Sequence, residues 1–173
     1  PLLGTRSARV LSVTYRGTTD LLAGRVFNAG LRARYPRLAT GVLNRDTPGD
    51  IHQGLLARAR RSDLVVVSLF VTIVSYSGTV ALPEEMSGFI QALAQEKIPH
   101  VVISFGNPYL LKEFPDVRSY MLAWSGAGVS QRAAYKALFG DIAIQGKTPT
   151  RIPPLFQIGD GIQLPKKETR RDE

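Results

Sequence analysis

The run LVVVSLF at residues 64–70 constrains the fold more than any other stretch. A strand with one face in water alternates apolar and polar side chains. This run has a single serine among apolar residues, so both of its faces need cover. Strands of that kind belong to parallel sheets carrying helices on either side. The run HVVISF at 100–105 repeats the signal, and residues 8–15 (ARVLSVTY), 39–44 and 119–124 (SYMLAW) supply three further strand candidates.

Helical patterns fall between these strands. Thr18, Thr19 and Asp20 offer caps for a helix running to about Arg34, with Leu22, Val26, Ala29 and Ala33 on its inner face and Pro36 ending it. Thr47, Pro48 and Asp50 start a second helix that reaches about Arg61, with Thr47 as N-cap and Ile51, Leu55, Leu56 and Ala59 turned inward. Pro83, Glu84 and Glu85 open a third, where acids in the first turn suit the helix dipole, and Phe89, Leu93 and Ala94 carry its inner face. Residues 108–114 form a short helix, and residues 129–139 a longer one with Gly140 as its C-cap. Five strands alternating with helices predict an α/β fold, a three-layer α/β/α sandwich around a mostly parallel sheet.

After Gly140 the composition changes. Pro149, Pro153, Pro154, Gly159 and Gly161 mark an irregular arm with an edge strand expected at 150–152, and the tail KKETRRDE is charged. The expected division is a sandwich domain at 1–146 and, belonging to it, an arm and tail at 147–173. The 173 residues suffice for one sizeable core. The chain begins at Pro1 without an early methionine and without a signal-peptide pattern, and is expected to be a fragment or a processed product.

The formal net charge is +8. The basic residues are scattered and do not interleave with aromatic side chains, so a solvated surface is expected rather than a nucleic-acid platform. No apolar run approaches the ~20 residues of a membrane span. Without cysteine there are neither disulfides nor thiolate metal sites.

Ligands of open α/β sheets bind at the carboxyl ends of the strands. Here that edge comprises residues 16–20, 45–50, 71–79, 106–109 and 125–128. It carries neither a dinucleotide fingerprint nor a phosphate-loop lysine, and no cofactor is expected. Of the two histidines, His52 reads as solvated on a helix surface and His100 precedes a strand at its amino end. No Gly-x-Ser-x-Gly elbow accompanies them, which leaves a serine hydrolase with little support. Asp46, Asp50 and His52 are close in sequence, but helix capping already accounts for Asp50, so no metal site is assigned. Glu84 and Glu85 point about 100° apart on a helix and suit its start better than paired catalysis. Trp124 reads as core at the end of a strand.

Several segments nonetheless carry a resemblance. LVVVS from Leu64, LPEEMSGFI from Leu82, VVISFGNPYLL from Val101, VSQRAAYKALFG from Val129, and the later Gly146-Lys-Thr-Pro and Ile152-Pro resemble the second domain of family 3 glycoside hydrolases. SFGNPY with Gln131-Arg-Ala-Ala is similar to the bacterial β-N-acetylhexosaminidase branch, which links the chain to cell-wall sugar turnover and leaves the compartment open between secreted and cytoplasmic. The resemblance implies a sheet of about six strands. It also implies a partner: an amino-terminal (β/α)₈ barrel that holds the amino-sugar substrate and the nucleophilic aspartate, and that takes about 250 residues.

In the family's β-glucosidase branch the second domain supplies an acid/base glutamate from an insertion after the third strand. Here residues 71–81, VTIVSYSGTVA, contain no acid. That suits the hexosaminidase branch, whose histidine and aspartate sit on a barrel loop, and no catalytic residue is assigned to this chain. Candidates for the rim of the substrate pocket are Ser75, Tyr76, Ser77, Asn107 and Tyr109. Asn107 precedes a proline and is expected mainly to organise a turn. The implied function is a non-catalytic domain bracing a retaining β-N-acetylhexosaminidase that hydrolyses terminal N-acetylglucosamine residues. The alternative is a free-standing module that binds a small ligand or sugar in the strand-end crevice.

Overall fold

The computed structural model describes residues 6–71 and 82–167. Five strands, β1 (Val10–Arg16), β2 (Ala39–Leu43), β3 (Leu64–Phe70), β4 (His100–Ser104) and β5 (Tyr120–Leu122), form one sheet in the order β2-β1-β3-β4-β5. Every pairing is parallel. Four α-helices, α1 (Arg25–Arg34), α2 (Gly49–Ala59), α3 (Glu84–Gln95) and α4 (Gly128–Phe139), and a 3₁₀ helix (Pro108–Glu113) connect or follow the strands.

The alternation along β3 explains the layers. Val65, Val67 and Leu69 pack with Leu55 and Ala59 of α2 and with Met86, Ile90 and Leu93 of α3. Leu64, Val66 and Phe70 face the other way, toward Phe27 and Leu31 of α1 and Ala134 and Leu138 of α4. The sheet is thus covered on both sides, as the apolar run at 64–70 requires. Each fully buried Leu, Val or Phe contributes about 1.5–3 kcal/mol, so the two layers together dominate stability. The expected edge strand at 150–152 is reduced to a single antiparallel bridge, Ile152 to Phe156, and a second bridge joins Ile144 to Leu164. Ile152 is buried, which pins this irregular segment to the body.

Two helices differ from expectation in phase. Asp20 does cap a turn, with its Oδ1 accepting from Ala23 N at 3.1 Å, but the helix proper begins only after Gly24. Gly24 adopts a left-handed conformation (φ 77°), and a Cβ there would lie 2.9 Å from Thr14 Cγ2. That break resets the register. Ala23, Phe27 and Leu31 face the core, whereas Leu22, Ala29 and Ala33 are exposed. Gly30 on the same helix lets the Tyr135 ring of α4 pack at closest approach.

In α2 the buried residues are His52, Leu55 and Ala59, with Leu56 partly buried and Ile51 exposed. His52 is therefore not a solvated surface residue. Its Nδ1 lies 3.3 Å from the Pro48 carbonyl, one turn back, and this bond allows the ring to turn inward. Thr47 does not cap α2. Pro48 holds that position, and the Thr47 hydroxyl turns back to accept from Asn44 N at 2.9 Å. Gly140 is the C-cap of α4 as expected, left-handed at φ 77°. No helix among the described residues is long and apolar enough to cross a membrane.

Candidate functional site at the carboxyl edge of the sheet

Strand β2 lies on one side of β1, and β3 to β5 lie on the other. The carboxyl ends of β1 and β3 therefore flank the point where strand order reverses, the usual ligand crevice of such sheets. Among the described residues, packing and internal hydrogen bonds run beneath this edge. On the α1 side, Ser12 Oγ donates to Asn28 Oδ1 at 2.6 Å, and Asn28 Nδ2 donates to Thr14 Oγ1 at 3.1 Å. Thr14 Oγ1 meets Ser68 Oγ at 3.2 Å across the β1–β3 pair. Beside this network the Phe70 and Phe105 rings stack at 4.5 Å, and Phe27 meets Phe105 edge-on at 5.5 Å.

Gln131 ties the start of α1 to the segment before α4. It is buried, its Oε1 accepts from Phe27 N at 3.1 Å, and its Nε2 donates to Gly126 O at 2.8 Å. The N–H groups of a helix start are natural anion ligands. Here one of those on α1 already binds Gln131. This positioning role could not be read from the sequence, because it joins residues 104 positions apart.

The Gly-Asn-Pro turn after β4 is built from backbone contacts. Phe105 N donates to Leu69 O at 2.8 Å, and Asn107 N donates to Val71 O at 3.2 Å. Ser104 Oγ donates to Asn107 O at 2.7 Å. Asn107 is buried, and its Oδ1 accepts from Tyr109 N at 2.9 Å, capping the 3₁₀ helix. Of the rim candidates, Asn107 is thus engaged in the turn. Tyr109 is 40% exposed, with its hydroxyl 3.2 Å from Thr150 Oγ1 and Lys112 Nζ 5.5 Å from its ring centre. Ser75, Tyr76 and Ser77 lie outside the described residues. Replacing Asn107 by alanine is expected to cost about 1 kcal/mol through the lost cap. Urea unfolding of the variant checks this, and an unchanged midpoint would contradict it.

Glu113 is the second residue that the sequence did not single out. Its carboxylate accepts from Leu82 N at 3.2 Å and from Ser87 Oγ at 2.8 Å, and its own carbonyl accepts from Gln91 Nε2 at 2.8 Å. It fixes the return of the chain into α3. The only signal for it was its position as the one acid of the short helix.

The carboxylates here serve the backbone. Asp20 Oδ1 and Asp50 Oδ1 accept from Ala23 N and Ile51 N. Burial raises the Tyr15 phenol above its ordinary range, opposed by Arg45, and burial raises Tyr120 more strongly. Trp124 departs from its expected core position. It lies beyond β5 with φ 57° and is 43% exposed, because the strand ends at Leu122 and the backbone turns over before α4. Both histidines bond to main-chain carbonyls, His52 to Pro48 and His100 to Ile98. The arrangement therefore supports packing and positioning. Among the described residues it assembles no acid/base pair, and no three His, Asp or Glu side chains gather as a metal would require.

Solved structures share this fold. A fungal multi-domain GH3 β-N-acetylglucosaminidase matches over 93% of the chain with a TM-score of 0.68 and 21% identity. A glycoside hydrolase family 3 β-N-acetylglucosaminidase from Paenibacillus sp. str. FPU-7 matches over 84% with a TM-score of 0.66 and 20% identity. A β-glucoside phosphorylase matches over 83% with a TM-score of 0.62 and 21% identity. The chain spans only 17%, 28% and 26% of those proteins, respectively. No curated protein matches it. The family model for the glycosyl hydrolase family 3 C-terminal domain matches residues 4–171, nearly the whole chain, and the chain belongs to that family.

Proposed function

We propose that this chain is the non-catalytic second domain of a two-domain retaining β-N-acetylhexosaminidase, bracing a (β/α)₈ barrel that hydrolyses terminal N-acetylglucosamine residues. The observation that carries the proposal is the acid-free segment 71–81 between β3 and α3, within a chain that matches the family's C-terminal domain. A glycosidase of this type needs two carboxyl-type groups or their equivalent at the sugar, and this segment offers none. The similar folds of two β-N-acetylglucosaminidases agree with the choice of branch. Residues 1–146 form the body of the domain, and residues 147–173 form an arm and tail of the same unit. Ser75, Tyr76, Ser77, Asn107 and Tyr109 remain the rim candidates.

The barrel docks on the carboxyl edge. Leu21 and Leu22 precede α1, Trp124 precedes α4 and Val129 lies in its first turn, and all four are exposed, from 43% to 75%. Large apolar side chains gathered at one edge mark an interaction surface. Replacing Leu22 and Val129 together by aspartate is expected to leave the melting temperature of the isolated chain within a few degrees of wild type. In the barrel-bearing protein the same change lowers melting temperature and activity together. Equal behaviour of the two proteins would refute docking on this edge.

A further inference from the structure

The two helical layers carry opposite charge. Helices α1 and α4 hold Arg25, Arg32, Arg34, Arg132 and Lys136 and no acid. Helices α2 and α3, across the sheet, hold Asp50, Glu84 and Glu85 against Arg58 alone. Basic residues that look scattered along the sequence are thus gathered by the fold on one face.

That face is firmly built. The two helices run parallel, with Gly128 facing Val26, Gln131 bonded to Phe27 N, and Gly30 against the Tyr135 ring. The Arg34 guanidinium lies 5.6 Å above the Phe139 ring at the end of the same seam. Arg25 and Arg32 stand two turns apart on α1, about 10 Å, and Arg132 and Lys136 one turn apart on α4, about 6 Å. All five cations are exposed, and the exposed side chains among them, Ala29, Ala33 and Ala133, are small. Ion pairs among the described residues join Arg9 to Asp63 and Arg60 to Glu96, and none involves these five. The nearest acids along the chain, Asp20 and Asp141, lie beyond the helix ends, and Asp20 is engaged in capping at Ala23.

This layout narrows the partner. Single-stranded nucleic acid would call for exposed aromatic rings between the cations. Here Tyr135 packs on Gly30 and Phe139 is buried. A field of cations spread over two parallel helices, about 8–10 Å apart, suits a planar anionic surface better than a single polymer strand. Each Lys or Arg close to an anionic bilayer strengthens adsorption about fivefold.

We infer that the α1/α4 face adsorbs to the headgroups of an anionic phospholipid bilayer, lying on it without insertion. The inference rests neither on the hydrolase reading nor on docking at the carboxyl edge.

The test is co-sedimentation of the 173-residue chain with phosphatidylcholine vesicles, pure or with phosphatidylglycerol as about three-tenths of the lipid. Saturable binding is expected to the mixed vesicles only, at about 0.1 M salt, and should vanish at about 0.5 M as screening shortens the reach of the charges. Arg32→Gln with Arg132→Gln should weaken binding about 25-fold, fivefold for each cation. Arg58→Gln with Arg61→Gln removes the same net charge elsewhere and should weaken it less than threefold. A second readout needs no variant. Lipid carrying a paramagnetic headgroup should broaden the amide signals of Arg32 and Lys136 and spare those of Arg58 and Gln91. The inference is overturned if the mixed vesicles bind no more chain than the pure ones, if the two double variants weaken binding equally, or if the broadening falls on α2 and α3 instead.

Discussion

Replacing Phe105 by alanine is expected to destabilise the chain by about 3–5 kcal/mol, the range for emptying a large aromatic position in a core. Phe105 is fully buried at the carboxyl end of β4, between the stacked ring of Phe70 at 4.5 Å and the edge-on ring of Phe27 at 5.5 Å. Three elements meet in it: β3 through Phe70, α1 through Phe27, and β4 itself. The surrounding backbone is parallel sheet and helix and cannot collapse into the space, so the cavity cost adds to the lost burial. For a chain of this length the drop in melting temperature should be roughly 10 °C or more. Phe105→Leu, which keeps most of the volume, should cost far less. Urea unfolding of both variants checks the pair, and an alanine variant less than about 1 kcal/mol below wild type would show that the aromatic stack is not core.

Gly106→Ala is expected to cost about 2–4 kcal/mol for a different reason. Gly106 has φ 151°, and an added Cβ would sit 2.7 Å from the Val71 carbonyl oxygen. The neighbour is backbone, not the end of a flexible side chain, so β3 and the Gly-Asn-Pro turn must separate or the residue must change conformation. An unfavourable backbone region costs about 1–3 kcal/mol before that displacement. The Asn107 amide, which donates to Val71 O at 3.2 Å, should then exchange faster with solvent. Gly17→Ala, where nothing lies within 4 Å of the added carbon, serves as the control and should stay within about 0.5 kcal/mol of wild type. If both glycine variants melt with the parent, the close approach at Gly106 is unimportant.

The sheet was legible because burial on both faces leaves a one-dimensional mark. The runs at 64–70 and 100–105 needed no knowledge of their partners to declare themselves as central strands. Helix positions were legible too, but not always their phase. Ala29 and Ala33 recur at helical spacing as well as Phe27 and Leu31 do. Only the left-handed turn at Gly24, where a Cβ would press on Thr14, decides which face is inward. His52 was misplaced because a polar ring is ordinarily left in water. A carbonyl one turn back satisfies it here and permits burial. Trp124 was misplaced because the apolar pattern runs on after hydrogen bonding in β5 has ended.

The site divides along the same line. The Gly-Asn-Pro turn is a local feature, and the capping role of Asn107 followed from its neighbours in sequence. Gln131 on the start of α1 and Glu113 on Leu82 are long-range contacts without a spacing signature. Tyr35 and His100 line one cavity from distant parts of the sequence, and His100 alone looked like an incidental residue at the wrong end of a strand.

The central claim is that this domain supports catalysis without performing it. The direct measurement is kcat/KM on a chromogenic β-N-acetylglucosaminide for the purified chain alone and for the same chain joined to its barrel. The account predicts no turnover above buffer for the chain alone and measurable turnover for the joined protein. Turnover by the chain alone, lost when one of its own residues is substituted, would contradict it.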